Sequence, residues 1–267
     1  MFFSASGLSS SSAVVVSAVL AFLSVVGQLN KHEPSELADL CAKAERFIGT
    51  QGGGMDQAIE ILAVEGKAQY IQFNPIRTKL VELPSDACFV IANSLSESNK
   101  AAGSEFNQRV VECRLAAKVL AKRLNLDNWK KIVKLIDVQS GSNCSLPEMM
   151  EWVDKYLHHE PFTKDELTDL LDMTEQELNS SVLTANTNHL KTFKLYQRAY
   201  HVFSEAHRVE EYQRICMNTK SLDDLGQLMY QSHKSCSELY ECSHPNLDFL
   251  VNLSKEAGAY GARLTGK

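Results

Sequence analysis

The stretch GLSSSSAVVVSAVLAFLSVVG, Gly7 to Gly27, decides how this chain folds. A glycine and four serines open it, and a continuous apolar run follows from Ala13. The run is too short to cross a bilayer as a helix, which takes about 20 apolar residues. No Lys or Arg precedes it and no small-residue cleavage site follows, so it does not read as a signal peptide. It reads as a helix apolar on all sides, which belongs in a core. At the mouth of such a helix the serines combine unpaired backbone N–H groups, the positive end of the helix dipole and several hydroxyls. That is a cradle for a polyphosphate, though not of the Walker type, because no lysine follows in a GKS arrangement. A serine-rich N-cap on a buried helix is the other reading, and this segment alone leaves both open.

Downstream, Pro34 and Glu36 mark the start of a second helix that Gly49 closes, with Leu37, Leu40, Cys41 and Ala44 on one side. GTQGGGMDQ, Gly49 to Gln57, follows, and its successive glycines permit a close approach that side chains would forbid. Asp56, delivered by that loop, is suited to orient a substrate hydroxyl and accept its proton during phosphoryl transfer. It could equally cap the next helix.

The 267 residues are 44% hydrophobic and 22% charged, enough for one or two cores, and two domains fit. A net charge of −6 gives no long-range attraction for nucleic acid or anionic lipid, so any phosphate must be held by a local site. Neither nucleic acid nor membrane is an expected partner. Seven cysteines without a CxxC pair read as reduced thiols of a cytoplasmic protein. Short β-type runs are expected at 68–73, 79–83 and 88–92, and Pro84-Ser85 is the candidate domain boundary. Helices are expected at 104–124, 127–138, 146–158, 163–184, 187–218, 222–239 and 245–257, and AYGARL at 259–264 reads as the start of a strand. The histidines, His158, His159, His201 and His207 among them, form no recognised metal spacing, and Trp129 and Trp152 read as packing residues.

Taken together, GLSSSSA, GGGMDQ and GAYGARLTG (Gly258 to Gly266) resemble, in residues and order, three motifs of the GHMP family of small-molecule kinases, and of its galactokinases in particular. The details ERFIGTQGGGMDQ and FKLYQRAYHVFSEAHRV look closest to the members that prefer N-acetylgalactosamine. The resemblance implies an α+β, two-domain GHMP kinase fold. Residues 1–84 would be the remainder of a ribosomal-protein-S5-like N-terminal domain, and 85–267 a helix-rich α+β C-terminal domain. It implies ATP and Mg²⁺ as cofactors, a sugar as the small-molecule substrate, and a monomer. Gly7, Ser9, Ser10, Ser11 and Ser12 would hold the ATP phosphates, with Asn99 and Lys100 as further nucleotide contacts. Ser11 and Glu45 would ligate Mg²⁺, and Asp56 would bind the sugar hydroxyl and act as base. The expected reaction is transfer of the ATP γ-phosphate to the anomeric hydroxyl of N-acetylgalactosamine or galactose.

Two departures from the family pattern stand out. The N-terminal motif that grips the sugar hydroxyls is missing from the sequence, and the third motif stops at Lys267, so a fragment is expected. A non-catalytic nucleotide- or sugar-binding relative is the rival expectation.

Overall fold

A computed structural model describes residues 9–46, 54–72, 76–96, 104–184 and 186–265. The chain forms two compact units. One comprises Met1–Glu97, Tyr212–Gln227 and Phe249–Lys267; the other comprises Ser98–Glu211 and Leu228–Asp248. The architecture is α+β and rich in helix.

In the first unit, α1 (Ser10–Val25) packs against α2 (Pro34–Arg46) and α3 (Met55–Leu62), and α3 against β1 (Lys67–Gln72). β1 pairs antiparallel with β2 (Arg77–Glu82), Lys67 opposite Glu82 and Gln72 opposite Arg77. The apolar run does become a helix, but not a core one. Its buried residues are Ser12 and Val16, whereas Val14, Phe22 and Val25 are exposed. The physical reason is that α1 packs chiefly against α2 and α3, which together cover one side of it.

The buried face of α2 also differs from expectation. Leu37, Ala38, Cys41, Ala42 and Glu45 are buried, while Leu40 and Ala44 are exposed. The small side chains of Ala38 and Ala42 let α3 come close, and Ala38, Ala58 and Ile76 form the small core beneath. Gly54 completes this contact at φ +96°, where a Cβ would lie 2.9 Å from Ile76 Cδ1 and 3.0 Å from Ala42 Cβ. The expected strand at 88–92 does not form; Phe89, Val90 and Ile91 lie exposed in irregular chain, with no strand paired to them.

In the second unit, α4 (Ser104–Arg123) runs through the larger core, with Leu115 and Leu120 buried against α6 (Leu146–Tyr156) and α7 (Lys164–Leu171). Two expected helices are broken. Residues 127–138 become a short 3-10 turn at Trp129–Lys131 and then α5 (Leu135–Ser142), because Ile132 and Lys134 are extended. The segment 163–184 becomes α7 and α8 (Glu175–Ser181), separated at Asp172 in the left-handed region. Each restarts on a capping box, Thr163 with Glu166 and Thr174 with Glu177. The start of the expected 187–218 helix instead forms β4 (Thr192–Phe193), paired with β3 (Phe162–Thr163), before α9 (Leu195–Met217) begins. α10 (Leu222–Glu238) and α11 (Pro245–Glu256) agree with expectation; 259–264 stays irregular.

A buried ion pair orders this second unit. Glu112, fully buried, accepts from Arg198 Nε at 2.6 Å through one oxygen. Its other oxygen takes the Lys194 amide at 3.0 Å and Gln108 Nε2 at 3.0 Å. Arg198 Nη2 reaches Glu241 at 2.6 Å, and Nη1 donates to the Leu239 carbonyl. Burial next to this network pushes the Cys113 thiol up to about 12. None of the seven cysteines is in a disulfide. Among the described residues no helix is long and apolar enough to cross a membrane.

The third motif lies in the first unit. α11 ends before Gly258, at φ +83°, and the chain then passes Gly226 of α10 so closely that a Cβ on Gly226 would collide with the Tyr260 carbonyl, and one on Gly261 with the Gly226 backbone. Gly226→Ala should therefore destabilise the chain by about 1–3 kcal/mol or more, read as a lowered midpoint in urea. Arg198→Met, which strands a buried Glu112 carboxylate, should cost about 3–5 kcal/mol in the same assay.

Candidate functional site

The site grows from three helix ends in the first unit. Ser12 stands in the first turn of α1, Gln57 in the first turn of α3, and Glu45 in the last turn of α2. Ser12 Oγ donates to Glu45 Oε2 at 3.0 Å, and Gln57 Nε2 donates to Ser12 Oγ at 3.1 Å and also to Glu45 Oε2. All three side chains are buried, at 3%, 3% and 5% exposure for Ser12, Glu45 and Gln57. A carboxylate at the C-terminal end of its own helix is badly placed for that helix's dipole. Here the N-terminal turns of α1 and α3 close on it and supply the compensating positive ends.

Neither N-cap residue makes a side-chain cap bond. Ser9, the N-cap of α1, sits in the left-handed region at φ 54° and its hydroxyl makes no cap bond. Gly54 is the N-cap of α3, so Asp56 in the first turn does not cap it either. Asp56 is half-buried in that turn. The N-cap of α1 is thus a serine, though one without a side-chain cap bond, while Asp56 is not the N-cap of α3.

The remaining Glu45 oxygen, Oε1, is buried without a hydrogen-bond partner among the described residues. A buried carboxylate oxygen in that condition is costly unless a cation or donor meets it. The negative charge here is felt by its neighbours. Cys41, one turn earlier on α2, has its thiol pushed up by burial and then by Glu45 and Glu60. Glu60, one turn beyond Asp56, is raised by burial, then by Asp56 and Glu45. One hydroxyl, one carboxylate and open positions suit a hard, partly hydrated cation such as Mg²⁺. Among the described residues no group of three or more His, Cys, Asp or Glu side chains is placed to hold a metal by itself, so such a cation would draw its further ligands from water and phosphate.

Of the residues singled out in the sequence, Ser12 and Glu45 meet at these helix ends, and Asp56 lies in the same turn of α3 as Gln57. Ser9 and Ser10 are half-buried at the start of α1, and Ser11 lies exposed on its first turn. It is Ser12, and not Ser11, that bonds to Glu45. Gly7, Asn99 and Lys100 lie outside the described residues. Gln57 was missed, although it adjoins Asp56; its place in the first turn of α3, one residue past the catalytic candidate, was the available signal.

Because Glu60 is raised, it favours the folded chain while protonated, and that contribution is lost as pH rises through its elevated carboxyl range. Glu60→Gln should raise the melting temperature at pH 7 to 8 and leave it unchanged near pH 4, in thermal melts across that range.

Residues 3–63 match the GHMP kinases N terminal domain, and residues 214–267 the C-terminal one. The galactokinase of Dictyostelium discoideum is 39% identical over 286 residues, covering 97% of this chain and 56% of that protein. That of Saccharomyces cerevisiae is 31% identical, covering 98% of this chain and 57% of its own length. A crystal structure of Lactococcus lactis galactokinase complexed with galactose superposes with a TM-score of 0.68 at 26% identity, over 99% of this chain and 56% of that one. The chain thus spans about half the length of the curated relatives it matches. Both GHMP kinase domain models match parts of the chain, and galactokinases align along nearly all of it.

Proposed function

We propose that the chain contributes the phosphate-handling and catalytic part of an ATP-dependent sugar kinase, which passes the γ-phosphate of ATP to the anomeric hydroxyl of galactose or N-acetylgalactosamine. The observation that carries this reading is the junction of Ser12, Glu45 and Gln57 at two helix N-termini, with Asp56 next to Gln57 in the first turn of α3. Similarity to galactokinases supports the galactose half of the assignment. The 2-acetamido sugar rests on the details of the segments quoted above.

In this reading Gly7 and Ser9 to Ser12 receive the ATP phosphates on the N-terminal amides and hydroxyls of α1. Asn99 and Lys100 add nucleotide contacts. An anionic phosphate and the Glu45 carboxylate repel one another, so the site needs a cation between them. Glu45, with Ser11 or Ser12, would hold Mg²⁺, whose chemistry is to neutralise the developing phosphate charge. Asp56 orients the sugar hydroxyl and takes its proton as the oxygen attacks phosphorus. Residues 1–84 then act as the ATP-binding domain and 85–267 as the C-terminal kinase domain, in a monomer working in the cytoplasm.

Asp56→Asn in the intact protein should lower turnover of galactose or N-acetylgalactosamine by about 10²–10⁴-fold while calorimetric binding of Mg-ATP persists. Unchanged turnover would remove Asp56 from the mechanism. Nucleotide binding by the wild type with no turnover on either sugar would assign a non-catalytic binding protein instead.

A further inference from the structure

We infer that Gln57 is a positioning residue of the cation site, fixing the Ser12 hydroxyl and the Glu45 carboxylate in register and tying both to the helix turn that carries Asp56. The inference rests on the kinase reading of this site. Gln57 is buried, and a single amide nitrogen serves both Ser12 Oγ, at 3.1 Å, and Glu45 Oε2. Ser12 and Glu45 are separated by 33 residues and stand on different helices, so their mutual bond alone would leave each helix free to turn. The third bond closes a triangle, and a triangle of bonds between three helix ends fixes rotation as well as distance.

The choice of an amide has its own chemical logic. A lysine or arginine at position 57 would satisfy the buried carboxylate more strongly, but it would also cancel the charge that a divalent cation needs. A neutral amide donates without adding charge, so the Glu45 carboxylate is oriented by one oxygen while Oε1 has no hydrogen-bond partner among the described residues. An apolar residue of the same size would fill the space and orient nothing. Asp56 immediately precedes Gln57, so the hydrogen bonds of residue 57 also anchor the turn from which the proposed base projects. Groups that orient metal ligands in this way typically govern metal affinity by about 10–100-fold when removed.

The test is Mn²⁺ binding, followed by the loss of the free-ion electron paramagnetic resonance signal in the presence of a non-hydrolysable ATP analogue, for wild type, Gln57→Leu and Glu45→Gln. Gln57→Leu should bind Mn²⁺ about 10-fold or more weakly, approaching Glu45→Gln, in a chain that still melts cooperatively without metal. Equal affinity in wild type and Gln57→Leu would overturn the inference. If wild type itself binds no Mn²⁺ alongside the nucleotide analogue, the kinase reading of the site fails first and this inference falls with it. Should Gln57→Leu not fold, Gln57→Asn, whose shorter amide cannot reach both oxygens, decides the matter. A folded Gln57→Asn with weakened Mn²⁺ binding supports positioning; wild-type affinity, or failure of both variants to fold, makes Gln57 a packing residue.

Discussion

The first unit depends on one buried negative charge. Glu45 is removed from water at the end of α2, and nothing cationic meets it among the described residues; it is held by a serine, a glutamine and the positive ends of two helices. Neutral donors compensate a carboxylate only if they are numerous and well aimed, which forces α1 and α3 to present their first turns to it. The apolar core beneath, Ala38, Ala58 and Ile76, is too small to dictate this arrangement by itself. Polar geometry therefore sets the orientation of the helices, and small side chains merely allow it.

The second unit offers a contrast that sharpens the meaning of Glu45. Glu112 is buried just as deeply, yet both of its oxygens are engaged and a guanidinium stands against one of them. Such a carboxylate is chemically complete: it joins α4 to the start of α9 and has nothing left to offer a ligand. Glu45, with one oxygen unmet, is incomplete by the same accounting. Two buried carboxylates thus differ in the identity of their partners, a guanidinium and amides for one, neutral side chains for the other.

Much of this was legible in the sequence. The glycine and hydroxyl pattern located α1's mouth, the glycine run located the turn into α3, and the family motifs joined them. What the sequence did not disclose was angular. Whether Ser11 or Ser12 faces Glu45 depends on the phase of α1, a matter of about 100° per residue that an all-apolar helix does not reveal. On α2 the buried face lies one position from the expected one, because alanines rather than Leu40 meet α3. The broken helices were readable after all, since Thr163-x-x-Glu166 and Thr174-x-x-Glu177 announce fresh starts inside a periodic run. The run at Phe89 to Ile91 had strand composition but no partner strand among the described residues, and composition alone does not make a sheet.

The crossing of Gly226 and Gly261 bears on how this region can diverge. Backbone meets backbone there, so no side chain mediates the contact and none can be exchanged to adjust it. Most helix contacts drift by compensating substitutions, one residue growing as its neighbour shrinks. This one has no such freedom: a relative with any side chain at either position must carry the segment after α11 along a different path, so that the two glycines are inherited or lost together.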